Sequence, residues 1–187
     1  MMHKQALRKR FRALRSEIPP KTRAALSEQA CRRVLESDLW RRSDSVLLYV
    51  PVRAELDVRP LIEAGWQQDK SVLLPKCEEN PRGLRLCRVR EWAALSPGAW
   101  GIPEPSGDGE CLRPEDVDLA LVPVVAMDRH GVRLGNGGGY YDRLMPRLSC
   151  SALIGFDQQL CDRLPREGHD AIARWMITPT QIIRLGE

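Results

Sequence analysis

Five glycines fall within the nine residues from Gly131 to Gly139, and so dense a run is expected to break a packed core locally. It leaves bare backbone N–H groups free to converge on an anion. An apolar run over residues 119–127 precedes it, and residues 140–145 read as a helix start after it. Strand, Gly-rich turn and helix N-terminus in succession form an arrangement that holds phosphate. Asp142, Arg133 and Arg143 stand around the glycines, a carboxylate for a metal and cations for phosphate oxygens. The alternative is a surface turn with no ligand. The segment lacks the Gly-Lys-Ser/Thr ending of a Walker A loop. Its spacing Gly135-x-Gly137-x-x-Tyr140 comes near a dinucleotide fingerprint, but it lies late in the chain and the segment that follows is short.

The rest of the chain alternates between helical and strand periods. Leu7, Phe11, Leu14 and Ile18 form one apolar stripe of an amphipathic helix, with Arg8, Arg12 and Arg15 off it. Pro19-Pro20 ends that helix. Lys21 or Thr22 opens a second, with Leu26, Ala30, Val34 and Leu35 on its buried side. Residues 45–50 are apolar on both faces, as in a strand covered on both sides. Pro51 starts a loop carrying Arg53 and Glu55, and residues 58–66 read as a short helix. Residues 71–75 form a second buried strand, and 84–89, with alternating polarity, a third nearer an edge. Residues 96–114 are rich in Pro and Gly and read as a long loop, which in a compact domain usually has a functional reason. Residues 118–122 and 124–126 supply a further buried strand interrupted by Pro123, and 152–156 the next. Ile177 and Ile182-Ile183 add a short final piece. The expected architecture is α/β: one three-layer α/β/α domain over residues 1–187 with a largely parallel sheet.

A chain of 187 residues can bury one sizeable core. No apolar run reaches the length of a membrane span, and the N-terminus lacks the apolar stretch of a signal peptide. The six cysteines contain no Cys-x-x-Cys pair, which argues against zinc and against a disulfide framework and suits a reducing cytoplasm. Residues 1–42 carry twelve Lys/Arg against four Asp/Glu, and the remainder seventeen against twenty-one. A basic N-terminal third suggests an anionic partner: nucleic acid, a phosphorylated small molecule or a polyglutamate tail. Most of its arginines are expected on a solvated helix face.

The sequence Arg133-Leu134-Gly135-x-Gly137-x-Gly139-Tyr140-Tyr141-Asp142 resembles the signature of the 5-formyltetrahydrofolate cyclo-ligase (5,10-methenyltetrahydrofolate synthetase) family. Lys4-Gln5-Ala6-Leu7-Arg8, Glu55-Leu56-Asp57-Val58 and Trp100-Gly101-Ile102-Pro103-Glu104-Pro105 resemble three further elements of that family, in its order. The resemblance implies a fold like that of the ribose-phosphate isomerase and CoA-transferase group. It implies ATP at Lys4, Gln5, Ala6, Leu7 and Arg8, and at Arg133, Leu134, Gly135, Asn136, Gly137, Gly138, Gly139, Tyr140 and Tyr141. It implies the folate at Val50, Glu55, Trp100, Tyr140 and Tyr141, catalytic roles for Arg133 and Asp142, and Mg²⁺ on Asp142. Where the family often has a second acid, this chain has Arg174, with Asp170 nearby.

The implied chemistry is consistent with these residues. An N-formyl carbonyl is a poor electrophile, and its oxygen cannot leave as oxide. Phosphorylation by ATP turns that oxygen into a good leaving group, so catalysis becomes positioning and charge neutralisation. The expected substrates are 5-formyltetrahydrofolate, as mono- or polyglutamate, and ATP with Mg²⁺. The expected protein is a cytoplasmic monomer with no specific nucleic-acid or membrane partner. Two rivals stand beside this reading. One is a nucleic-acid module using the basic N-terminus, although aromatics are not interleaved with its cations. The other is a relative that keeps the fold and takes another phosphorylated metabolite.

Overall fold

The computed structural model describes residues 3–79, 82–98, 101–107, 109–168 and 170–186, the side chains of residues 79 and 82 excepted. The chain begins with helices α1 (Lys4–Glu17), α2 (Pro20–Leu35) and α3 (Asp38–Arg41). Strand β1 (Ser45–Leu47), helix α4 (Arg59–Gln67) and strands β2 (Ser71–Glu79) and β3 (Arg82–Arg88) follow. Next come the short strands β4 (Leu95–Pro97), β5 (Pro103–Pro105) and β6 (Cys111–Leu112), then β7 (Leu119–Pro123), β8 (Ala126–Asp128) and β9 (Arg133–Leu134). Helix α5 (Tyr140–Leu144) and strands β10 (Ser151–Ile154), β11 (Leu160–Cys161), β12 (Trp175–Ile177) and β13 (Ile182–Arg184) complete the order.

Eight strands form the central sheet in the order β13-β12-β10-β7-β1-β2-β3-β6. The five from β12 to β2 run parallel, and antiparallel strands close both edges. Period-two alternation splits the sheet's apolar residues between two cores. Val46, Leu48, Val72, Leu119 and Ile154 pack under α2, α3 and α4. Leu47, Leu73, Ala120, Val122 and Leu153 pack on the other face, against Leu144, Met145, Leu148 and Met127. The α/β expectation holds. The two outer layers are unequal, since the second consists of short α5, a 3-10 turn over Met145–Arg147 and the small sheet β11-β8-β9.

Three local expectations change. Helix α2 begins at Pro20, not at Lys21 or Thr22, because the missing proline N–H costs nothing at the first helical position. Residues 118–126 do not form one strand. Pro123 cannot extend the ladder, so β7 stops there and Ala126–Asp128 joins a different sheet. The stretch 96–114 is not simply a loop. It carries β5, which pairs with β4, and β6, which pairs with β3 and takes the sheet's outer edge. Cys87 and Cys111 face each other in that last pairing and their sulfurs are joined, one cross-strand link in a chain whose cysteine spacing argued against a disulfide framework.

Gly65 shows how closely α4 lies on the sheet. A Cβ there would sit 2.5 Å from Cγ2 of fully buried Val72. Alanine gains about 1 kcal/mol of helix propensity over glycine. Overpacking a core costs about 1–3 kcal/mol, and a β-branched neighbour has little freedom to yield. Gly65→Ala should therefore lower the urea midpoint; an unchanged or raised midpoint would show the contact to be looser than described.

Candidate active site

One cavity of about 700 Å³ opens at the carboxyl ends of β1, β2 and β7, where open parallel sheets place ligands. Helix α1 forms one wall. Phe11 is 3% exposed and packs with Val125, Ala126, Val132 and Leu134 of the small sheet. That docking fixes the helix's rotation, so that Lys4, Arg8, Arg12 and Arg15 line the cavity. The four cations recur at spacings of four, four and three, one helix face. The expectation that most of these arginines are solvated is corrected for Arg12 and Arg15. Gln5 and Ala6 point to solvent and Leu7 packs with the small core, so none of those three side chains faces the cavity.

The Gly-rich loop forms the opposite wall. Buried Asp128 holds its base, accepting the backbone N–H of His130, Val132 and Leu164 at 2.8–3.0 Å. Gln159 adds bonds from its amide to the carbonyls of Val124 and Val125. Gly137 and Gly139 take φ of 105° and 69°, values that side chains rarely adopt, so glycine is required at both. Arg8 Nε donates to the Gly135 carbonyl at 2.8 Å and Arg12 to Asn136 Oδ1 at 2.9 Å, tying the loop to α1. The amides of Asn136, Gly137 and Gly138 meet no backbone acceptor among the described residues. Helix α5 has only five residues, so an anion at this loop would meet these free amides more than a helix dipole.

Arg133 and Asp142 are paired with each other, Nη2 to Oδ1 at 2.9 Å, and the Arg133 guanidinium lies over the Tyr141 ring. Burial raises the Tyr141 hydroxyl well above the ordinary tyrosine range. Arg143 stacks on Tyr140. Lys4 pairs with Asp170 at 2.8 Å and with Glu167 at 3.2 Å, so Asp170 serves a lysine rather than standing beside Asp142. Among the described residues no cluster of three metal-ligating side chains exists.

At the far end stands Glu55, its side chain 9% exposed. Its carboxylate accepts the Val52 N–H at 3.1 Å while its own N–H bonds the Val52 carbonyl, a turn closed from both sides. Arg53 within that turn holds φ at 55°, strain of about 1 kcal/mol that aims the carboxylate. Burial raises the Glu55 pKa, opposed by the Val52 N–H, Arg15, Arg53 and Asn136. Val50 lines the same end, and buried Tyr49 donates to the Leu56 carbonyl. Glu104 from β5 also reaches the cavity beside Cys77, whose thiol burial and that carboxylate push up to about 12, too high for a thiolate nucleophile. Trp100, expected on the folate, lies outside the described residues. Asn136 accepts from Arg12, and its side chain helps to hold the Glu55 carboxyl down.

The sequence model of the 5-formyltetrahydrofolate cyclo-ligase family matches residues 1–179. The chain belongs to that family. A probable 5-formyltetrahydrofolate cyclo-ligase of Schizosaccharomyces pombe is 31% identical over 82% of this chain and 84% of its own length. The 5-formyltetrahydrofolate cyclo-ligase of Escherichia coli K12 is 30% identical over 92% and 98%. The solution structure of Aquifex aeolicus 5,10-methenyltetrahydrofolate synthetase superposes with a TM-score of 0.89 at 37% identity, covering 100% of this chain and 94% of that one. A Mycoplasma pneumoniae synthetase, at 20% identity, shares the fold with a TM-score of 0.77. The family's reaction is an ATP-dependent cyclisation, so the enzyme class expected from the signature stands.

Proposed function

We propose that this chain, as one domain over residues 1–187, converts 5-formyltetrahydrofolate and ATP into 5,10-methenyltetrahydrofolate, ADP and phosphate inside this cavity. The carrying observation is that the Gly-rich loop and Glu55 open on one space. ATP phosphates lie on the amides of residues 135–139 with Arg8 and Arg133 as counter-charges. The pterin lies toward Val50 and Glu55, with Tyr140 and Tyr141 between the two. The described lining holds six Lys/Arg against four Asp/Glu, a positive field that draws in both anionic substrates.

The γ-phosphoryl group passes to the formyl oxygen and ADP departs. N10 then attacks the activated carbon, loses its proton, and phosphate leaves as the N5 lone pair closes the amidinium. Arg133 moves its charge from Asp142 to the transferring phosphoryl group, which leaves the Asp142 carboxylate for a divalent cation. A single carboxylate there suits Mg²⁺, which takes one or two protein carboxylates and completes its shell with phosphates and water. Bound there, the ion would neutralise charge on the β- and γ-phosphates. No described helix is long and apolar enough to cross a membrane. A monomer acting in the cytoplasm completes the reading.

The test is absorbance of the methenyl product with ATP, the divalent metal or both withheld. Product should form only with both present, with ADP released in proportion. Turnover without nucleotide would exclude the ligase mechanism.

A further inference from the structure

Arg15 is the least expected residue of the cavity. Its side chain is 7% exposed, and Nη1 stands 3.8 Å from Oε1 of Glu55, too far for a hydrogen bond. Nε and Nη1 are buried and have no hydrogen-bond partner. A guanidinium so placed is costly unless an acceptor reaches it. Other donors nearby are better placed: Tyr49 donates to Leu56, Arg12 Nη2 to Asn136 and Arg133 Nη2 to Asp142, while Arg53 is exposed. Arg12 and Arg133 each keep one buried Nε without a partner, but of the three only Arg15 keeps two such nitrogens, and it alone stands beside Glu55.

The ligand's chemistry supplies the missing acceptor. A 2-amino-4-oxo-pyrimidine edge presents, in order, an amino donor, an N3–H donor and a C4 carbonyl acceptor. A carboxylate satisfies the two donors but faces the carbonyl with another oxygen, and this repulsion needs a donor set beside the carboxylate. We infer that Arg15 binds the 4-oxo group of the pterin while Glu55 takes its 2-amino and N3–H groups, so that the pair reads the 4-oxo ring and rejects 4-amino analogues. The inference rests on the folate reading of the Glu55 end. The cations of α1 then divide along the cavity, with Arg8 serving the loop end and Arg15 the ring end.

Calorimetric binding, without ATP, of 5-formyltetrahydrofolate and its 4-amino-4-deoxy counterpart to wild type, Arg15→Met and Arg15→Lys tests this. Changing the 4-substituent also changes N3, but that contribution is common to all three proteins and cancels when their preferences are compared. Loss of a charge-assisted hydrogen bond should shrink the wild-type preference for the 4-oxo ligand about ten- to a hundred-fold in Arg15→Met. Arg15→Lys keeps a charge beside Glu55 without the planar fork and should fall between. A purely structural role for Arg15 would weaken both ligands equally and leave the preference unchanged, which overturns the inference. If Arg15→Met does not fold, Arg15→Lys decides: a reduced preference at an unchanged melting temperature supports it, and an unchanged preference overturns it. Wild-type protein that binds neither compound would overturn the folate reading and this inference with it. Wild-type protein that cyclises 5-formyltetrahydrofolate while the variants keep its preference overturns the inference alone.

Discussion

Asp142→Asn should cut kcat by about 30- to 1,000-fold, the equivalent of about 2–4 kcal/mol of lost transition-state stabilisation. The side chain keeps its size, and the amide oxygen can still accept from Arg133, now 2.9 Å from the carboxylate. Folding should therefore change little, whereas the charge proposed to hold a divalent cation is gone. The sign of the effect is visible in metal titrations: the variant should need far more Mg²⁺ to reach its own maximum. Steady-state rates across a Mg²⁺ series, with the melting temperature as control, measure this. Wild-type kcat with an unaltered Mg²⁺ dependence would place the metal elsewhere and leave Asp142 as the structural partner of Arg133.

Glu55→Gln should raise the KM for 5-formyltetrahydrofolate about ten- to a hundred-fold, as expected for hydrogen bonds to a charged group, with the KM for ATP nearly unchanged. The pH profile gives a second signature. The ionised carboxylate is the form that accepts the ring's N–H groups, and burial raises its pKa. Binding is therefore complete above that raised pKa and is lost as pH falls through it. The acid limb of kcat/KM for the folate should lie above the ordinary glutamate value of about 4.3. The glutamine variant has no charge to lose, so that limb should vanish. A variant that retains the same acid limb would assign it to another group.

Much of this site was legible in the chain. Gly137 and Gly139 adopt φ values that few other residues tolerate, so the anion loop left a direct trace in composition. Glu55 lies beyond a strand read from its unbroken apolar run, although the strand stops at Leu47 and not at residue 50, and the end of a parallel strand is where a ligand carboxylate belongs. The positions of Arg12 and Arg15 were not legible, because cations spaced three and four apart read the same on a solvated face and on a cavity wall. What decides between the two is the rotation of α1, fixed by Phe11 entering a small core built from residues 125–164, far along the chain. The pairings of β4 with β5 and of β3 with β6 were hidden for a similar reason. Strands of two or three residues carry too little periodicity to stand out, and the prolines of β5 look like loop until an edge partner is known. The Arg133–Asp142 pair was also out of reach, since the separate roles expected of them at the phosphates gave no hint that they bond each other.

In the proposed reaction the formyl oxygen leaves as phosphate. This is tested most directly with 5-formyltetrahydrofolate carrying ¹⁸O in the formyl group, turned over with unlabelled ATP and Mg²⁺ in unlabelled water. Mass analysis of the released inorganic phosphate should find one ¹⁸O per methenyl product formed. Phosphate without the label, with the ¹⁸O recovered in water, would show that the oxygen departs by another route and that the γ-phosphoryl group never reaches it.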